Sequence, residues 1–581
     1  MSQAPPRVVA GTPRATAQAR LPDGRRFDAP PGTPLAELVR AAARGGEPPA
    51  IAALLGGRLR ELTEPLLADA ELAPVTLADA DGARIYRRSL VFLLVTAAAE
   101  ELPQAEIHVQ HAATSAAAYY CEVRGRAPLA PEELARIEAR MRAIVAEDAP
   151  ISRRRVSHEE ALALFEGRGE REKARLYAHR DSDGVVLYGL RGRWDCFQGY
   201  MAPSAGYLPH FALAARPPGF MLYFPHRDRP GLLEREAPYP KLFEVFAEAA
   251  RWMERLGIRS AGELNDAIAD GRLREVILVT EALHSARVSE IAAQIAREQE
   301  RLKVVLVAGP SSSGKTTFAK RLAVQLLARG VRPFPLSLDD YFLPRQLAPA
   351  GADGRPDFES LAALDLALLE EQLGALAEGR EQALPRYDFR TGERRPGAEI
   401  ELGPSDVLIV EGIHGLNPRL ARGLPPQHVF RVYVSALTQL NLDRHNRVST
   451  TDCRLVRRVV RDAASRGYPA RVTLSRWEAV TRAEKENIFA FQEHADAIFN
   501  SALLYEPAVL HPLAEPLLLQ VRPDTAEFVE AKRLLSLLRW FEAAAHDHVP
   551  GDSILREFVG GSILEGFRPW PPLRPGARAQ A

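Results

Sequence analysis

Residues 304–341 read VVLVAGPSSSGKTTFAKRLAVQLLARGVRPFPLSLDDY. The apolar run 304–308 predicts a buried strand, and it stops at Gly309 to open GPSSSGKT, a full match to GxxxxGK[ST]. That spacing serves phosphate binding: Gly309 and Gly314 let the backbone curl around an anion, while the helix starting near Lys315 directs its positive dipole end at the same place. The loop Gly309, Pro310, Ser311, Ser312, Ser313 and Gly314, continued by Lys315, Thr316 and Thr317, is the candidate nucleotide cradle. Lys315 would reach the β and γ phosphates of a bound nucleotide, and the Thr316 hydroxyl would ligate Mg²⁺. The alternative is a glycine-rich turn with no ligand. Context disfavours it, because Phe318, Leu322, Leu326 and Leu327 follow at helical spacing and make the strand–loop–helix setting complete.

At 581 residues the chain requires several cores. Its 46% hydrophobic and 26% charged content is that of ordinary globular protein. A formal net charge of zero argues against a nucleic-acid or membrane partner held by bulk electrostatics. Cys121, Cys196 and Cys453 are too scattered for a disulfide framework or a CxxC metal site. No signal-peptide core opens the sequence and no run approaches about 18 apolar residues, so a cytoplasmic protein is expected.

After the glycine-rich loop, strands and helices alternate, which predicts an α/β domain with a mainly parallel sheet. The strand PFPLSL ends in Asp339-Asp340-Tyr341, and DVLIVEG closes on Glu411. Acids at strand ends can be turn formers or helix caps, but beside such a loop they favour catalysis. Arg454, Arg457, Arg458 and Arg461 recur at helical spacing and share one face, either as a solvated basic face or as donors closing over a transferring phosphoryl group. LLLQV at 517–521 predicts the last strand, and 524–546 a terminal helix.

The motifs SLDDYF, PRYDF with TGERR, VEGIHGLN and RLVRRVVRDAASRG stand in family order, and residues 303–521 resemble uridine kinases and the wider group that includes phosphoribulokinase. The resemblance implies a Mg²⁺-dependent kinase that uses ATP. Asp339 would accept the proton of the attacking hydroxyl, with Lys315 and Arg461 as further catalytic groups. Glu411 and Thr316 would hold Mg²⁺. Glu359, Tyr387, Phe389, Arg458 and Arg466 would bind the acceptor, a small molecule and by resemblance a nucleoside phosphorylated on its 5′-hydroxyl. Two departures leave the acceptor open: Gly392 stands where nucleoside-specific members carry His, and Tyr468 where they carry Arg.

The N-terminal half reads differently. Residues 18–82, with a turn at Asp23-Gly24 and a helix opened by Thr33-Pro34, resemble the β-grasp-like TGS module of threonyl-tRNA synthetases. Residues 83–215 resemble the α+β editing domain that follows there. That family places two His, a Cys and a third His at positions occupied here by Arg88, Phe92, Phe197 and Met201, so the fold is expected without the hydrolytic metal site. His108 and His111 lie on a strand whose side chains alternate, which argues against a shared metal. Residues 216–300 read as a mostly helical connector, 301–522 as the kinase domain, 523–567 as a C-terminal extension, and 1–17 and 568–581 as disordered tails. A kinase acting on another acceptor such as a pentose phosphate, and a nucleotide-gated RNA-binding protein, remain alternatives; oligomeric state is open.

Overall fold

The computed structural model describes residues 15–45, 48–113, 117–180, 184–233, 239–351, 354, 357–388 and 391–567. Most of both tails, residues 1–14 and 568–581, lies outside these, and a strand already begins at Ala17.

The C-terminal half is built on one five-stranded sheet. Its strands are β1 (Val304–Ala308), β2 (Arg332–Ser337), β3 (Asp406–Glu411), β4 (Val429–Ser435) and β5 (Ala497–Asn500). They lie in the order β2-β3-β1-β4-β5 and every pair is parallel. All five residues of β1 are buried, as a central strand covered on both faces requires. Helix α1 (Lys315–Leu327) packs its Phe318, Leu322 and Leu326 into the same core as Val305 and Val307. The helices α2 (Thr450–Arg466), α3 (Ala470–Asn487) and α4 (Glu506–Leu519) follow.

Two expectations about this half are corrected. Leu517, Leu518 and Leu519 close α4 rather than forming a strand, and the last strand is β5. A short apolar run does not distinguish a buried strand from a buried helix, and Pro512 and Pro516 inside α4 hid the helix. The terminal helix is confined to Phe528–Leu538; the chain then runs irregularly to a single turn at Arg556–Val559.

In the N-terminal half, Arg26–Ala29, Ala17–Arg20, Ala70–Thr76, Ala50–Leu55 and Arg58–Glu61 form a sheet in that order, with Leu35–Ala42 as its helix. A 22-residue helix, Ala80–Glu101, follows. The stretch read as a connector from residue 216 instead begins inside a hairpin: Ala212–Arg216 pairs with Gly219–Tyr223, which pairs in turn with Ala118–Arg124. Its prolines sit at the turn, where no ladder donor is lost. The mostly helical character holds further on, over Pro240–Leu256, Ala261–Ala269 and Leu273–Arg297.

A loop of the C-terminal half joins the two halves. Between β4 and α2, the Asp443 carboxylate accepts from the N–H groups of His445 and Asn446 and rigidifies a turn that enters the N-terminal half. There the Val109 N–H donates to the Arg444 carbonyl (2.9 Å), and the Asn441 amide donates to the carbonyls of Val109 and Gln110 (3.0 Å each). His445 reaches the buried pair Lys173–Asp195, its Nδ1 2.8 Å from the Lys173 ammonium and 3.0 Å from Asp195. Arg444 grips Glu172 with two bonds of 2.7 and 2.9 Å.

Burial alone would raise the Glu172 carboxyl, yet Arg444 holds it down at about 2. A depressed carboxylate stabilises the fold fully above its unfolded value, here 4.5, and loses that contribution as pH falls toward 2. The shift is worth about 3 kcal/mol. Glu172→Gln should therefore lower stability at neutral pH by an amount of that order and flatten the loss of stability between pH 4.5 and 2. Chemical denaturation across that range reads both; parallel curves for variant and wild type would remove the pair from the account.

Candidate active site

The three groups expected to do chemistry come from neighbouring strand ends. β1 runs into the glycine-rich loop, β2 into the turn Leu338–Tyr341, and β3 ends on Glu411 itself. Because β3 lies between β1 and β2, Glu411 is level with Val307 on one side and Ser337 on the other. Lys315, Asp339 and Glu411 therefore gather at the C-terminal edge of a parallel sheet, the place where open α/β sheets take their ligands.

Their ionisation is mutually dependent. Burial pushes the Glu411 carboxyl up to about 7, Asp339 adds to the push and Lys315 opposes it; the Ser337 hydroxyl donates to Glu411 Oε1 at 3.1 Å. Asp339 is also raised by the surrounding protein, against the pull of Lys315, although solvent reaches it. The Lys315 ammonium is lowered by burial and supported by Glu411, Glu557, Asp339 and Glu484. Groups shifted in opposition beside one another are what acid–base and phosphate chemistry use.

The loop geometry explains its glycines. A Cβ on Gly309 would stand 2.0 Å from the Val434 carbonyl oxygen. Gly314 has φ +84°, and a Cβ there would stand 2.4 Å from Ile554 Cγ2. Ser312 carries φ +58° between them. Lys315 Nζ donates back to the Pro310 carbonyl at 3.1 Å. Thr316 is exposed at the mouth, whereas Thr317 is buried.

Helix α2 is not a solvated basic face. Arg454 and Arg457 are buried and paired with Glu484 and Glu506. They also clamp the glycine-rich loop from behind: Arg454 Nε donates to the Ser311 carbonyl (2.9 Å), Arg457 Nη1 to the Ser312 carbonyl (3.4 Å), and Arg458 Nη1 to the Ser311 hydroxyl (2.7 Å). The sequence pointed to Arg454 and Arg457 only as members of the arginine face, and it gave Glu484 and Glu506 no role. A signal existed, since Leu455, Val456, Val459 and Val460 occupy the remaining faces of α2, and a helix apolar on those faces must bury and pair its charges.

The other expected residues separate. Arg461 is held by its neighbour Asp462 (2.9 Å). Arg466 is half-exposed, 3.6 Å from Asp462, and its charge lowers Asp339. The Glu359 carboxyl is raised by burial, with Arg458 and Lys315 opposing, which groups it with the loop. The Tyr387 ring packs edge-on against Phe342 (5.7 Å) and Phe358 (6.4 Å), and its N–H donates to Asp340 Oδ1 (3.1 Å). Phe389 lies outside the described residues. Gly392 takes φ +75° at the hairpin turn between Gln382–Asp388 and Glu393–Ile400, a conformation that suits glycine and disfavours histidine.

In the N-terminal half the four positions singled out from the sequence, Arg88, Phe92, Phe197 and Met201, are engaged in packing and hydrogen bonds. The rings of Phe92 and Phe197 meet at 5.1 Å, Arg88 Nη1 donates to the Tyr200 carbonyl at 2.6 Å, and the Ser89 hydroxyl donates to Met201 Sδ at 3.9 Å. His111 stacks on Phe246 at 3.9 Å, and burial lowers it to about 3. Among the described residues no group of three or more His, Cys, Asp or Glu could hold a metal ion, and no helix is long and apolar enough to cross a membrane.

Compared with known families, residues 304–504 match the model described as Phosphoribulokinase / Uridine kinase family. These residues form a kinase-family domain. The family domain thus begins with β1 and includes the glycine-rich loop, both acidic strand ends and the arginine helix. The N-terminal region is homologous to threonine–tRNA ligases: the chain is 32% identical over 194 residues to that of Acidovorax sp. (strain JS42) and 35% identical over 197 residues to that of Burkholderia lata. Each match covers 33% of this chain and 30% of the ligase, so the chain spans under a third of the length of these curated relatives. Among solved structures, a possible uridine kinase from Bacillus stearothermophilus is similar at 20% identity and TM-score 0.24, over 34% of this chain and 88% of that one.

Proposed function

We propose that the protein is an ATP-dependent kinase that transfers the γ-phosphoryl group to a hydroxyl of a small metabolite, foremost the 5′-hydroxyl of uridine or cytidine. The observation that carries this reading is the gathering of Lys315, Asp339 and Glu411 at one sheet edge, with the carboxyls raised and the ammonium lowered. Asp339 takes the acceptor hydroxyl proton as its oxygen attacks phosphorus; a raised carboxyl is better matched to that task than an ordinary one. Lys315 neutralises the β and γ phosphates. The donor set fits Mg²⁺: an exposed threonine hydroxyl and a carboxyl that burial raises to about 7 and that a cation would hold ionised. Glu411 and Thr316 would hold the ion, which supplies positive charge to the phosphates when bound. Arg458, Arg461 and Arg466 provide donors for the transferring group, and Glu359, Tyr387 and Phe389 the acceptor pocket.

A pentose phosphate is the second acceptor class, favoured by the half-exposed Arg466 guanidinium in electrostatic reach of Asp339. Assaying the purified protein with ATP against nucleosides, pentose phosphates and pantothenate ranks them. Uridine or cytidine should give the highest kcat/KM; preference for a phosphorylated sugar would replace the nucleoside reading while keeping the kinase.

The N-terminal half, as a TGS-like module followed by an editing-like domain without hydrolytic ligands, serves in this reading as a docking frame for the kinase. A catalytic zinc site needs about three converging protein ligands, and an arginine, two phenyl rings and a thioether do not supply them. Elemental analysis of the purified protein should find no stoichiometric zinc, and mischarged threonine tRNA should not be deacylated. Zinc at one equivalent, or measurable deacylation, would overturn this assignment.

A further inference from the structure

The C-terminal extension reaches into the candidate nucleotide site. Glu557 Oε2 accepts the Thr317 N–H at 3.2 Å and the Thr317 hydroxyl at 2.9 Å. Thr317 is the third residue of α1, so its N–H is among the four that have no partner within the helix. In a glycine-rich phosphate loop those N–H groups and the helix dipole are what the loop offers to nucleotide phosphates. Here a carboxylate takes one of them, at Thr317, and its negative charge supports the Lys315 ammonium as a phosphate would. A second contact comes from Ile554, whose Cγ2 lies 2.4 Å from where a Cβ on Gly314 would be, so the segment rests directly on the loop backbone.

This placement is built, not incidental. Leu555 and Phe558 are buried, and the Phe558 ring lies 5.0 Å beneath the guanidinium of Arg457, which also holds the Ser312 carbonyl. The Ser553 hydroxyl bonds to Glu281, and Lys320 Nζ of α1 donates to the Leu564 carbonyl at 2.9 Å. Upstream, the same extension is tied to the N-terminal half: Trp540 Nε1 donates to Gln198 Oε1 (2.8 Å), and Glu530 pairs with Arg84 (2.8 Å). Beyond Glu557 the chain turns at Gly560 and Gly561, both at positive φ.

We propose that residues 553–567 form a self-inhibiting strap whose Glu557 carboxylate stands in for a nucleotide phosphate and must leave Thr317 before ATP can bind. Two anions cannot share the same donors, and within a few ångströms they repel. Strap release and nucleotide binding are therefore linked, and because the strap is fastened upstream to the N-terminal half, that half can bias the nucleotide site. The proposal rests on the nucleotide-binding reading above and specifies its regulation.

The test uses the full chain and a fluorescent ATP analogue titrated with and without Mg²⁺. Glu557→Gln keeps the shape and removes the charge, and giving up one charge-assisted contact should tighten nucleotide binding by about tenfold. In the wild type, hydrogen exchange over residues 553–567 should rise when nucleotide is added, a readout that does not depend on any variant folding. Unchanged or weaker affinity of Glu557→Gln, or exchange unaltered by nucleotide, overturns the strap while leaving the kinase reading in place. Weakening seen only in the presence of Mg²⁺ also overturns it and makes Glu557 a metal ligand instead. Absence of nucleotide binding by both wild type and variant would sink the nucleotide reading itself, and the strap with it.

Discussion

Lys315→Ala should abolish turnover, by about 10³-fold or more, while the fold survives. The ammonium is the cation at the centre of a cluster that contains Asp339, Glu411, Glu557 and Glu484. Its removal has two consequences. In the proposed reaction the β and γ phosphates would lose a point charge that no neutral group replaces, and charge stabilisation of this kind supplies most of the rate in phosphoryl transfer. The neighbouring carboxylates also lose the charge that opposes their rise, so Asp339 and Glu411 shift further up and less of each is ionised at neutral pH. Turnover measured from ADP release, with a thermal melt to verify folding, checks this. Residual activity within tenfold of wild type would remove Lys315 from the phosphate site.

Asp339→Asn is the second large effect. The variant should bind ATP as the wild type does and lose the chemical step by about 100-fold or more, the usual cost of deleting a positioned general base. Since the surrounding protein raises the Asp339 carboxyl, the wild-type rate should climb with pH to a higher value than an unperturbed aspartate would give, and that limb should vanish in the variant. The adjacent Asp340 is the control, because its carboxylate already accepts the Tyr387 N–H and serves the hairpin. Single-turnover kinetics beside a nucleotide titration separate the two contributions. Equal losses in affinity and rate would make Asp339 a metal ligand instead of a base.

How much of this was legible in the sequence depended on whether the signal was local. The strand–loop–helix unit from Val304 to Leu327 was readable because GxxxxGK[ST] is a spacing tied to one local backbone shape and its strand is apolar on both faces. The acids Asp339 and Glu411 were readable for the same reason, each closing an apolar run. Misreadings came where local patterns are degenerate: the leucines at 517–519 fit strand and helix alike, and the prolines at 217 and 218 mark a turn inside a sheet as readily as a domain boundary. The groups that hold the loop were hidden for a different reason. Arg454 finds Glu484 and Arg457 finds Glu506 on separate helices, and Glu557 reaches Thr317 across 240 residues. No spacing rule announces such partners; the cost of burying an unpaired charge dictates only that some partner exists.

The central claim is phosphoryl transfer, and the most direct measurement follows the labelled γ-phosphoryl of ATP in a single turnover with excess enzyme, Mg²⁺ and uridine. Label should appear on the nucleoside 5′-oxygen in step with ADP, and both should disappear together in Asp339→Asn. Label released only as inorganic phosphate, at a rate indifferent to every acceptor offered, would contradict a kinase and leave a nucleotide-hydrolysing switch in its place.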